Sequence, residues 1–86
     1  MNKKPLKITD TSAPAQRARF LERLLEAGRV DTFTAREELN IAHPGGRVLE
    51  LRKLGYPIKT DRQTITDAHG FKHSGVAVYY MSGAAA

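Results

Sequence analysis

The sequence predicts a mainly α domain closed by a small β-hairpin, an α+β fold, and three observations carry that prediction. Residues 13–27 space their apolar side chains at a helical period between a proline start and a glycine stop. Residues 31–58, DTFTAREELNIAHPGGRVLELRKLGYPI, read as two short helices around a tight turn. From Ile58 onward the helical period gives way to alternation, and the turn cluster Asp67-Ala68-His69-Gly70 divides it into two strands.

In the first helix, Pro14 marks the opening turn, Ser12 or Ala13 the cap and Gly28 the end. Ala18, Leu21 and Leu25, with Leu24 beside them, form the stripe expected to face the core. Arg19 and Arg23 stand four apart, as a basic strip or a solvated face; Glu22 and Glu26 among them favour the solvated face. Arg29-Val30-Asp31 is short, with Val30 expected inward and the segment one rung of a small sheet.

The second helix is expected near 33–39, capped by Thr32, with Ala35 and Leu39 on one face. Asn40 and Ile41 break it, Ile41 turning inward. Pro44 then occupies the first position of a helix over 44–54, where its missing N–H is harmless. Val48, Leu51 and Leu54 should face the core, and Gly55 ends the helix. Two short helices joined in this way have the shape of a helix-turn-helix, whose second helix lies in a DNA major groove.

Tyr56-Pro57 sets a turn, and Ile58 to Thr66, rich in Thr and Ile, suits a strand. Its alternation slips between Ile58 and Ile65, which predicts a bend or bulge. The run Val76 to Met81 carries the strongest strand signal. Three helices with a terminal β-hairpin, its apolar side under the helices and its tip projecting, make a winged helix. The expected organisation is a basic arm over 1–12, one domain over 13–81 and a tail over 82–86.

At 86 residues the chain holds one small core, and without cysteine it has neither disulfides nor thiolate metal sites. No apolar run approaches membrane-spanning length. MNKKPLK is basic but has no apolar region behind it, so no secretory signal is read there and a cytoplasmic protein is expected. The net charge of +5 favours a polyanionic partner. Its distribution says more: residues 1–12 sum to +2, 13–46 to zero and 47–86 to +3. The excess falls on the arm, on the second helix of the pair and on the segment after it.

Thr34-Ala35-Arg36-Glu37-Glu38-Leu39-Asn40-Ile41, then His43-Pro44 and Arg47-Val48-x2-Leu51-Arg52-x2-Gly55-x2-Ile58, resembles a family of small winged helix-turn-helix domains common in bacteriophage, prophage and proteobacterial genomes. The resemblance covers roughly residues 15–81 and implies a winged-helix fold and DNA binding. One departure is Gly45-Gly46, where such helices usually carry better helix formers. Two glycines there cost about 1 kcal/mol each relative to alanine. Close backbone approach to phosphate is one account of them, and plain sequence drift stands level with it.

In the second helix of the pair, Gly46, Arg47, Glu50 and Lys53 should sweep the outward face, with His43 and Gly45 at its N-terminal turn. Arg47 is the first choice for a base-edge contact, since its planar fork matches guanine O6 and N7. Pairing with Glu50, or with an acidic residue of helix 33–39, stands level with that reading. Glu50 can accept from cytosine N4 but is more often a solvated or ion-paired carboxylate. Arg52, beside the core stripe, reads as a structural ion pair or a phosphate contact, and Lys53 as a phosphate contact without sequence information. Lys59, Arg62, His69, Lys72 and His73 are expected near the hairpin tip. For any one of them alone an ordinary solvated turn is the safer reading.

Catalysis is not expected. Gly45-Gly46 lacks the spacing and following lysine of a phosphate-cradling loop, and no base or paired carboxylates accompany Ser12, Ser74 or Ser82. Three histidines without cysteine form no tetrahedral metal set, and no cofactor is called for. The expected partner is double-stranded DNA, bound by a small phage-type transcriptional regulator or recombination accessory factor, with no membrane and with a homodimer left open. The alternative is a winged helix used for protein interaction or oligomerisation, through Leu49, Tyr79, Tyr80 and Met81.

Overall fold

The computed structural model describes residues 8–82, and the expected arm residues 1–7 and tail residues 83–86 lie outside them. The elements run α1 (Ala13–Ala27), β1 (Arg29–Asp31), α2 (Thr32–Glu37), α3 (Pro44–Lys53), β2 (Ile58–Thr66) and β3 (Lys72–Met81). The three strands form an antiparallel sheet in the order β1-β3-β2. Val30 is buried at the centre of β1, opposite Tyr79, so Arg29–Asp31 is the expected third rung. The register of β2 against β3 shifts between Gln63 and Ile65, where the alternation slips.

The core joins one face of each element: Phe20 and Leu24 of α1, Val30, Ala35, Leu39, Ile41, Val48, Leu51, Ile58, Ala77 and Tyr79. Phe20 meets Tyr79 edge-on, with ring centroids 5.7 Å apart. Of the α1 stripe expected inward, Leu24 is in the core and the other three positions are corrected. Ala18 is exposed, Leu21 half-buried and Leu25 66% exposed, while Phe20 and Leu24, one helical turn apart, point into the core. Two apolar strips lie on this helix at the same period, and the strip holding the larger ring finds the partner on β3.

Three local expectations also change. Asp31 rather than Thr32 caps α2, its Oδ2 accepting from the Phe33 and Thr34 amides at 2.9 and 3.2 Å. Thr32 instead donates its hydroxyl to the Ala77 carbonyl at 3.2 Å, tying α2 to β3. Leu54 is 65% exposed, because a residue six positions after Val48 lies about 120° away from it around a helix and α3 has ended. β3 begins at Lys72 rather than Val76. Its first four residues are exposed, so backbone pairing alone makes them strand and no apolar alternation announces them.

Gly55 ends α3 as read from the sequence. At φ +106° it lets its own amide reach the Arg52 carbonyl at 3.0 Å and the Tyr56 amide reach that of Leu51 at 3.1 Å, a Schellman closure.

Candidate nucleic-acid interface

The turn between α2 and α3 sets how α3 is presented, and it is fixed from beneath. Asn40 adopts a left-handed conformation at φ 55°, and beyond it the Ile41 amide returns to the Ala35 carbonyl at 3.0 Å. The side chain of Arg19, 3% exposed, donates Nε to the Leu39 carbonyl at 2.7 Å, Nη2 to that of Asn40 at 3.3 Å and Nη1 to that of Asp10 at 2.6 Å. A residue read as part of a solvated face is thus the buried clasp of the turn. Asn40 Nδ2 also donates to the Ile8 carbonyl at 2.9 Å. Part of the expected arm, residues 8–12, is accordingly bound to the domain.

On α3, Pro44, Val48 and Leu51 face inward and are buried. Gly45, Leu49, Arg52 and Lys53 are exposed, and Gly46, Arg47 and Glu50 are half-buried. Glu50 explains the last pair: it accepts from Arg47 Nη2 at 2.9 Å, three residues back, and from Arg17 Nη1 of α1 at 3.0 Å. Arg47 Nε is buried without a hydrogen-bond partner. Both arginines are therefore gathered on one carboxylate at the α1 side of the helix. On the other side Arg52 donates Nε to the Ile58 carbonyl at 2.7 Å and Nη2 to Thr60 Oγ1 at 2.9 Å, anchoring α3 to the start of β2. Lys53 has no ion pair among the described residues.

The N-terminal turn of α3 exposes His43 and Gly45. His43 caps the helix without a side-chain hydrogen bond, its carbonyl accepting from the Gly46 and Arg47 amides at 3.1 and 3.3 Å. A methyl group at Gly45 would meet the Tyr79 hydroxyl at 3.6 Å, and one at Gly46 would lie 4.0 Å from His43 Cβ. Both are ordinary contacts, so the packing does not require glycine at either place.

The hairpin divides the remaining residues. Lys59 pairs with Tyr80 at its base, not near the tip as expected. Arg62 donates to the Gly75 carbonyl at 3.3 Å from mid-strand, and Lys72 stands opposite Thr66 at the far end. At the tip, Asp67 Oδ1 accepts from the His69 and Phe71 amides, both at 2.9 Å, and its own amide donates to the Phe71 carbonyl at 2.8 Å. Asp67 Oδ2 lies 2.8 Å from His73 Nε2, and the His73 ring stands edge-on to Phe33 of α2 at 5.0 Å. The His73 hydrogen bond, helped by the Phe71 amide, holds the Asp67 carboxyl below its ordinary range. Asp61 is lowered as well, by the Gln63 side chain and the Arg62 amide. His69 and His73 are thus parted in role, one exposed at the tip and one linking the wing to α2.

Of the apolar groups considered for protein contact, Tyr79 is buried and Met81 packs against the core, leaving Leu49 51% and Tyr80 39% exposed. Sequence reasoning passed over Arg17, the buried role of Arg19, and Phe71, 68% exposed in the wing turn. Only Phe71 had a readable signal, a lone aromatic residue in a polar turn. Among the described residues no group of three or more His, Asp or Glu is placed to hold a metal, and no helix is long and apolar enough to cross a membrane.

Comparison with curated proteins and with solved structures found no match. A family model described as winged helix-turn-helix domain matches residues 15–84, a span that takes in nearly all of α1, the turn clasped by Arg19, α3 and the hairpin. The helix pair, the wing and this match agree: the chain belongs to the winged helix-turn-helix domain family, an architecture that points to duplex DNA as its partner.

Proposed function

We propose that the protein binds double-stranded DNA as a small regulator of transcription or as an accessory factor in recombination, and that it acts by binding rather than catalysis. α3 enters the major groove, Lys53 and Arg52 lie at the phosphates, and the hairpin with Lys59, Arg62 and Lys72 follows the flanking backbone. The observation that carries this reading is the surface of α3. A helix held by a buried clasp exposes Gly45, Leu49 and Lys53, while two arginines are stored on Glu50 at its border.

Binding of a fluorescent random-sequence duplex at two salt concentrations tests it, beside the double variant Arg47→Ala/Lys53→Ala. Wild type should bind with a steep salt dependence and the variant more weakly with a shallower slope. Absence of wild-type binding at low salt would remove the reading.

A second reading, protein interaction or self-association, is favoured by the outer strip of α1, where Ala18, Leu21 and Leu25 line a shallow apolar depression bordered by Glu22 and Glu26. A monomeric mass by light scattering across a wide concentration range would remove self-association.

A further inference from the structure

Phe71 is the most exposed large apolar side chain among the described residues, at 68%, and it sits at the tip of the wing. Its placement is fixed. The Phe71 amide and carbonyl both bond to Asp67, Gly70 turns the chain at φ +90° with its amide on the Asp67 carbonyl at 3.1 Å, and His73 ties Asp67 to the face of α2 through Phe33. A ring presented on so closely bonded a turn is aimed at something outside the protein. The charge around it narrows what that is. Lys72 follows it directly and Arg62 stands at mid-strand, both exposed and without an ion pair among the described residues, while Lys59 lies farther off at the hairpin base and the exposed Asp61, beside Arg62, accepts from the Gln63 side chain. Asp67 is occupied by two amides and His73. An apolar point flanked by the exposed cations Lys72 and Arg62 matches a nucleic-acid groove, where phosphates flank a stack of aromatic faces.

We propose that Phe71 is an apolar wedge that enters the minor groove beside the site read by α3, unstacks a base step there and kinks the duplex. This rests on the DNA-binding reading above. The wedge supplies no base-edge hydrogen bond, so it selects for steps that deform readily, pyrimidine–purine steps above all.

The chain has no tryptophan, so Phe71→Trp places a sole indole at the tip. On titration with a random-sequence duplex its emission should be quenched and shielded from acrylamide. Phe71→Ala should bind about tenfold more weakly, within the range for loss of one stacked ring, and should no longer shorten the end-to-end distance of a duplex carrying a fluorophore pair. Phe71 is 68% exposed and outside the core, so both variants should fold as wild type, and circular dichroism checks that. If wild type binds with a steep salt dependence while the indole stays unquenched and Phe71→Ala keeps wild-type affinity and bend, the wedge is wrong and the DNA-binding reading stands. If no duplex binds at low salt, both fall. Quenching by anionic phosphatidylglycerol vesicles but not by duplex would overturn the wedge in favour of a lipid surface.

Discussion

Arg19 of α1 donates Nε to the carbonyl of Leu39, in the turn after α2, across 2.7 Å of interior from which solvent is almost excluded. The same guanidinium reaches Asn40 and Asp10, so one side chain satisfies main-chain acceptors in the segment before α1 and in the turn after α2. Arg19→Met keeps much of the volume and leaves these carbonyls unmet. It should cost about 3 kcal/mol, the order of a lost charged hydrogen bond plus stranded acceptors. Urea unfolding reads the loss, and an unchanged midpoint would show the clasp to be passive.

Glu50 holds two cations where DNA would lie. Glu50→Ala should release Arg17 and Arg47 to phosphate, and the salt dependence of duplex binding should steepen by up to about two contacts. The part-exposed pairs contribute little, so stability should fall by no more than about 1 kcal/mol. Weaker binding with an unchanged slope would instead make Glu50 a direct reader of the bases.

Gly46 faces the opposite trade. An added methyl would lie 4.0 Å from His43 Cβ, an ordinary contact, so Gly46→Ala should stabilise the domain by about 1 kcal/mol through helix propensity. If the glycine serves close approach to DNA, the same variant binds more weakly despite being more stable. Thermal melting and duplex titration on one sample separate the two effects.

The wing turn should be sensitive to acid. Asp67 is held below its ordinary value near 3.8, so the unfolded turn binds more protons than the folded one across that interval. Its stabilisation is complete above the ordinary value and is lost as pH falls through the depressed one. The His69 and Phe71 amide resonances should move together on acidification, and Asp67→Asn should abolish the common transition.

Leu24 and Leu25 are neighbours with opposite fates, 1% and 66% exposed. Leu24→Ala should cost about 2–5 kcal/mol, whereas Leu25→Ala should stay within about 0.5 kcal/mol. Chemical denaturation of the two variants side by side checks the corrected face of α1.

Those two leucines also mark where reading the chain succeeds and where it stops. Local chemistry alone announces the elements: Pro14 and Gly28 bound α1, Pro44 and Gly55 bound α3, and the slip between Ile58 and Ile65 announces the bulge in β2. Each depends on a few adjacent residues whose backbone preferences hold in any surroundings. Which side of α1 is buried depends on Tyr79, 59 positions beyond Phe20 along the chain. Periodicity measures spacing around one helix and carries no information about a partner that distant. The site divides in the same way. The positive excess near α3 and the hairpin was written in the sequence, as were His43, Gly45 and Lys53 at the exposed start and end of the helix. That Arg17 of α1 joins the local Arg47–Glu50 pair, that Arg52 is bonded to β2, and that Arg19 holds the turn from inside were decided by tertiary structure. A guanidinium settles wherever folding brings unsatisfied oxygens within reach, and only the assembled fold determines which oxygens those are.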